Sequence, residues 1–185
     1  NNPKTYGSLG GETLQFETIK LLSDFPNQQS PQIVRADENT LFLGFYDGDF
    51  SVLYQRIGND LMPIGDATFV NNTGNQQADI DVQPLLYSDG NGSIYYGYSE
   101  PIGSSALYLQ KYSADGSMLW ESDHLIADNG GDDIFRSIFG TPNGDVIIIH
   151  DRVVWAGYEV RLTRVDQDGN IVTNWENIRI SPAGT

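Results

Sequence analysis

The amino-acid sequence predicts an all-β fold assembled from repeated four-stranded units. Three observations carry this: short apolar runs rich in Val, Ile, Tyr, Phe and Leu, Asn-Gly or Asp-Gly turn signals between them, and a spacing of 52 to 55 residues between equivalent positions. Such runs, bounded by turn residues, are the mark of strands and hairpins. No stretch keeps a 3.6-residue apolar stripe with caps, so no helix is expected.

The first strand of each unit is read at Gln32-Ile-Val-Arg35, Val82-Gln-Pro-Leu-Leu-Tyr87 and Ile134-Phe-Arg-Ser-Ile-Phe139. Turns follow, with asparagines recurring at Asn39, Asn91 and Asn143, two steps of 52. The second strands are Asn39–Phe45, Gly92–Tyr98 and Gly144–His150. The third are Ser51–Ile57, Ala106–Tyr112 and Tyr158–Val165, with a basic residue before the last apolar position at Arg56, Lys111 and Arg164, steps of 55 and 53. Ser113-Ala-Asp-Gly-Ser117 and Asp166-Gln-Asp-Gly-Asn170 are turns leading to a fourth strand, marked by Trp120 and Trp175, both expected in the core. In the first unit that strand, Leu61-Met-Pro-Ile64, lacks the Trp and is interrupted by Pro63.

A four-stranded unit of this length is the blade of a β-propeller, and blades need neighbours to bury their faces. The expected division of residues 1–185 is outer strands of a partial blade at 1–22 and successive blades at 23–69, 70–125 and 126–180. Phe16-Glu-Thr-Ile-Lys-Leu21 resembles Trp175-Glu-Asn-Ile-Arg-Ile180, so the expectation is a segment of a longer propeller, about three and a half units of it.

The repeat resembles those of large secreted proteins of Bacteroidota, cargo of type IX secretion. The residues that carry the likeness are Leu53-Tyr-Gln-Arg-Ile57, Leu109-Gln-Lys-Tyr-Ser-Ala-Asp-Gly-Ser-Met-Leu-Trp120, and Leu162-Thr-Arg-Val-Asp-Gln-Asp-Gly-Asn170 with Trp175. The resemblance covers most of the chain and implies a fold and a secreted or cell-surface location. Its motifs are turn and core residues, so it implies no activity, and no type IX sorting domain is visible.

Composition narrows the function. A net charge of −15, from 25 acidic and 10 basic residues, repels phosphate backbones and anionic membranes, which argues against nucleic acid. With no cysteine, disulfides and thiolate metal sites are excluded. No apolar run is long enough for a transmembrane helix. The opening Asn1-Asn2-Pro3-Lys4 is polar, so a signal peptide is expected to have been removed, or the chain to be an excised segment.

Catalytic motifs are few. Ser113, Asp115 and Trp120 fit the sialidase Asp-box, but the glycine stands at 116 rather than 117, and the box is a turn rather than a catalytic element. Asp89-Gly-Asn-Gly-Ser93 and Asp166–Asn170 resemble fragments of calcium loops yet lack the required Gly and Glu positions, so hairpin turns account for them. His124 and His150 lie in different units, and no Gly-x-Ser-x-Gly elbow occurs.

Two groups of residues remain. Asp47, Asp49, Asp79, Asp81, Asp132 and Asp133 are read as acidic loops on one face, either solvated or holding a hard cation such as calcium. Trp155, read in the loop Asp151–Gly157, offers an aromatic platform beside Asp151, Arg152, Glu100 and Asp49, a combination suited to sugar rings. Asp151 with Glu100 or Asp49 is the one credible carboxylate pair, all three placed in loops between second and third strands. The expected function is a non-catalytic binding, adhesion or scaffold module of a larger surface protein, without organic cofactor. Its partners would be a glycan, a protein or the remaining blades of the parent chain. The alternatives are a glycan-active hydrolase completed by residues elsewhere and a passive spacer.

Overall fold

A computed structural model of the chain describes residues 5–9, 12–15, 29–46, 51–70, 84–102, 104–128, 133–155 and 157–181. Every regular element among them is a strand. The chain forms a two-stranded hairpin, β1 (Thr5–Leu9) and β2 (Glu12–Gln15), and then three four-stranded antiparallel sheets. The first sheet is β3 (Gln29–Arg35), β4 (Thr40–Tyr46), β5 (Val52–Gly58) and β6 (Pro63–Phe69). The second is β7 (Leu85–Ser88), β8 (Ser93–Ile102), β9 (Ser104–Ser113) and β10 (His124–Ala127). The third is β11 (Asp133–Gly140), β12 (Val146–Val154), β13 (Gly157–Val165) and β14 (Ile178–Arg179). Each sheet is a meander whose neighbours in space are neighbours in sequence.

The repeat read from the sequence is a repeat of register. Arg56, Lys111 and Arg164 all lie on the third strand, opposite Phe42, Tyr95 and Ile147 of the second. Cross-strand partners share a face. That face of the first sheet meets the second sheet, and that of the second meets the third.

Between the first two sheets, Phe42, Tyr46 and Tyr54 pack with Ile94, Tyr96, Tyr98 and Tyr112. The Phe42 and Tyr54 rings stack at 4.4 Å between centroids. The sheets approach so closely that a Cβ at Gly44 would stand 2.7 Å from the Tyr96 ring. Between the second and third sheets lie Tyr95, Leu107, Leu109 and Trp120 against Phe135, Ile138, Val146, Ile148 and Val165.

The turns at the ends of the third strands share one geometry. In Ser113–Ser117 and Asp166–Asn170, the first N–H donates to the fifth carbonyl at 2.9 Å. The fourth residue, Gly116 or Gly169, has φ of 84° or 91°, the left-handed region that closes a three-residue hairpin loop. Asp115 Oδ1 accepts the Ser117 N–H, and Asp166 Oδ1 accepts those of Asp168 and Asn170. These aspartates are turn caps. Donated hydrogen bonds, first from Ser113 and then from the Ser117 N–H, hold the Asp115 carboxyl down to about 2.

Four expectations change. Pro63 opens β6 rather than interrupting it, as a proline at the first strand position can. The fourth strands start later than the tryptophans: a single bridge, Tyr112↔Met118 or Val165↔Ile171, precedes an excursion carrying Trp120 or Trp175, and β10 and β14 follow. Residues 126 and 127 belong to the second sheet, through β10. Trp120 is buried, but Trp175 is 37% exposed and so is not a core residue.

Candidate functional site

Among the described residues, the third sheet brings aromatic, acidic and basic side chains to one end. Strand β12 reads Val-Ile-Ile-Ile-His-Asp-Arg-Val-Val, apolar at its start and charged beyond. Alternation sends His150 and Arg152 to the face packed on the second sheet and Asp151 to the opposite face. Pairing continues through Val153↔Tyr158 and Val154↔Gly157, so this segment is a long hairpin rather than an open loop. Gly157, at φ 127°, closes its tip. Trp155 stands on that tip fully exposed, and Tyr158 below it is 62% exposed.

Beneath the aromatic tip lies an ionic network. Glu159 Oε2 accepts Arg161 Nη2 at 2.5 Å and Nε at 3.1 Å, and Oε1 pairs with Arg179 Nη1 at 3.0 Å. Arg152 is the cross-strand partner of Glu159. The Arg161 hydrogen bond, with the charges of Arg179, Arg161 and Arg152 added, holds the Glu159 carboxyl below its ordinary range. Arg161 also donates to the Asn177 carbonyl, tying the hairpin to the fourth strand at 3.2 Å.

Deeper in the same face, His150 and Asp133 are both fully buried, with Nδ1 and Oδ1 3.3 Å apart. Neither side chain completes a hydrogen bond, so His150 accepts none from a serine or threonine hydroxyl. A buried acidic group is expensive without a compensating partner, and the imidazole stands beside it.

The residues singled out by sequence are therefore divided. Trp155 and Arg152 belong to this end. Asp151 lies in β12, not in a loop, and its Oδ2 accepts Arg136 Nε at 2.7 Å on the opposite face. Glu100 likewise lies in a strand, β8, opposite Ala106; its side chain is outside the described set. Asp133 opens β11 and is buried rather than solvated in a loop. Asp47, Asp49, Asp79, Asp81 and Asp132 lie outside the described residues. Among the described residues no three His, Asp or Glu side chains converge as a metal site.

Glu159, Arg161, Tyr158 and Arg179 were not singled out by sequence. Alternation along Tyr158-Glu-Val-Arg161 was a usable signal for Glu159 and Arg161 sharing a face. Arg179 arrives through the pairing Arg161↔Arg179, which no local pattern announces.

The chain matches no protein-family model, and no curated protein matches it. No helix among the described residues is long and apolar enough to cross a membrane.

Proposed function

We propose that the chain is a run of β-propeller blades acting as a non-catalytic binding or adhesion module of a larger secreted or cell-surface protein. Three meandering four-stranded sheets packed face to face support the blade reading. The resemblance of the repeat to secreted Bacteroidota proteins supports the location. The observation that carries the binding reading is Trp155, fully exposed at the tip of a paired hairpin above Tyr158. A large aromatic displayed this way forgoes its hydrophobic stabilisation, and recognition of a sugar ring or an apolar partner side chain would recover it.

The test is a glycan array run beside a reducing-sugar release assay. Glycan retention without release, reduced at least tenfold by Trp155→Ala, is the expected result. Release abolished by both Asp151→Asn and Glu100→Gln would replace the binder with a hydrolase. Silence in both assays would leave a spacer.

A further inference from the structure

The open face of the third sheet reproduces, position by position, two faces that are covered elsewhere in the molecule. Phe42, Tyr54, Tyr95, Leu109 and Trp120 are between 0 and 6% exposed because the next sheet lies on them. Their register equivalents Ile147, Leu162 and Trp175 are half-buried or exposed, and Phe139 beside Ile147 is 41% exposed.

The covered faces also share a hook. At the first interface the Tyr54 hydroxyl donates to the Gly116 carbonyl at 2.8 Å, in the turn after the next sheet's third strand, with the Arg56 side chain against Gly116. At the second, Trp120 Nε1 and Lys111 Nζ both donate to the Gln167 carbonyl, at 3.0 and 3.3 Å, in the same turn one unit on. Each hook thus sets a basic side chain against an acidic Asp-Gly turn: Asp115 in one case, Asp166 and Asp168 in the other. On the third sheet the same pair exists. Arg164 lies over the Trp175 ring at 5.6 Å and pairs with Asp145 on its own sheet.

Building on the repeat-module reading, we propose that this face docks one further four-stranded unit of the same repeat, belonging to the parent polypeptide. Its Asp-x-Asp-Gly turn is held by Arg164 and Trp175 as Gln167 is held by Lys111 and Trp120. Ile149 stands where Gly44 and Gly97 admit aromatic rings from the next sheet, so the docking unit carries a small side chain at that level. Continuity with the two internal interfaces and the match of Arg164 to an acidic turn select this occupant over an unrelated apolar surface.

The experiment extends the full chain with a second copy of residues 126–181 in which Phe135, the residue that enters at Gly97 in the second interface, is changed to Ala so that a small side chain meets Ile149. Trp120, Trp155 and both tryptophans of the added copy are changed to Phe, leaving Trp175 as the sole fluorophore. The proposal expects acrylamide quenching of Trp175 to fall at least threefold on extension, its emission to shift to the blue, and Arg164→Glu to restore most of the quenching. Unchanged quenching would overturn it, whether the added copy folds or stays unfolded, since a face built for such a unit should order it. Shielding of Trp175 in the unextended chain, rising with concentration in sedimentation, would also overturn it by making a second copy the occupant. Glycan binding through Trp155 is read separately in the unextended chain, so either idea can fail alone.

Discussion

Between the first and second sheets, tyrosine hydroxyls are buried and reach backbone carbonyls: Tyr54 to Gly116, Tyr96 to Leu53 at 3.0 Å, Tyr112 to Val70. Between the second and third, the Asp133 and His150 side chains are buried and complete no hydrogen bonds. The two interfaces use the same register and the same number of strands, yet one ties three tyrosine hydroxyls to backbone carbonyls and the other sets two ionisable groups side by side. Satisfied hydroxyls fix how two sheets dock, because each has one partner at one height. An unsatisfied acid and imidazole do not improve packing, and buried groups of that kind mark places where stability has been given up for something else. The first interface is therefore structural in character. The second carries, at the end near Trp155 and Glu159, the residues a binding role would draw on.

Removing one partner of the buried pair is the largest expected effect. His150→Ala leaves Asp133 buried without the imidazole beside it and should cost about 3–5 kcal/mol in urea unfolding. Asp133→Val with His150→Leu removes both ionisable groups and keeps the volume, so the double variant should lie within about 1 kcal/mol of the parent or above it. If the single change proves as mild as the double, the pair has no energetic identity and the contrast between interfaces dissolves.

The tyrosine interface should fail under alkali. Burial first of all raises Tyr54, Tyr96 and Tyr112, which lie between the first and second sheets, above the ordinary 10.0. For a group whose folded form favours the protonated phenol, stability is intact below the unfolded value near 10. It is lost as pH rises toward the folded value, because the unfolded state sheds its proton first. Unfolding as pH rises above 10, tracked by tyrosinate absorbance and circular dichroism together, is the expected result. Tyr96→Phe should cost about 1 kcal/mol at neutral pH, for its lost bond to Leu53, and should flatten the alkaline slope. A slope unchanged by Tyr96→Phe would take the alkaline sensitivity away from Tyr96 and leave it to Tyr54 and Tyr112 or to another interface.

How much of this was legible in the sequence follows from what each feature depends on. The strands, their order and the equivalence of Arg56, Lys111 and Arg164 depend on local alternation and turn chemistry, which a repeat shows three times over. The fourth strands were harder to read. In β10 and β14 a bridge, an excursion and a short strand replace one continuous run, and Trp120 and Trp175 belong to the excursion. The Asp133–His150 contact depends on a diagonal across two strands after a bulge between Phe135 and Ser137, and so left no local pattern. The same limit applies to Trp175: its motif is that of Trp120, but burial depends on the sheet that lies above. Asp151 and Arg152 were grouped because they adjoin in sequence, whereas strand alternation separates neighbours onto opposite faces.

The smallest effect tests the turn that departs from the repeat in the first sheet. Gly58–Met62 makes the same hydrogen bonds as Ser113–Ser117, with the Gly58 N–H donating to the Met62 carbonyl and Leu61 N–H to the Gly58 carbonyl. The position taken by Gly116 and Gly169 is here Leu61, at φ 61°. A residue with a Cβ pays roughly 1–2 kcal/mol to enter that region, and Leu61 gains little back, being 45% exposed. Leu61→Gly removes the clash but enlarges the conformational freedom of the unfolded chain, which offsets part of the gain. A net stabilisation of about 0.5–1 kcal/mol is expected, read as a higher urea midpoint at unchanged slope. Gly116→Leu, the reverse change one unit on, should destabilise by more. There a Cβ would also stand 3.1 Å from the Tyr54 hydroxyl and 3.3 Å from the Arg56 side chain, at the hook joining the two sheets. Equal and opposite responses at the two sites would mean that backbone strain alone sets both, and that the hook at Gly116 contributes nothing to holding the sheets together.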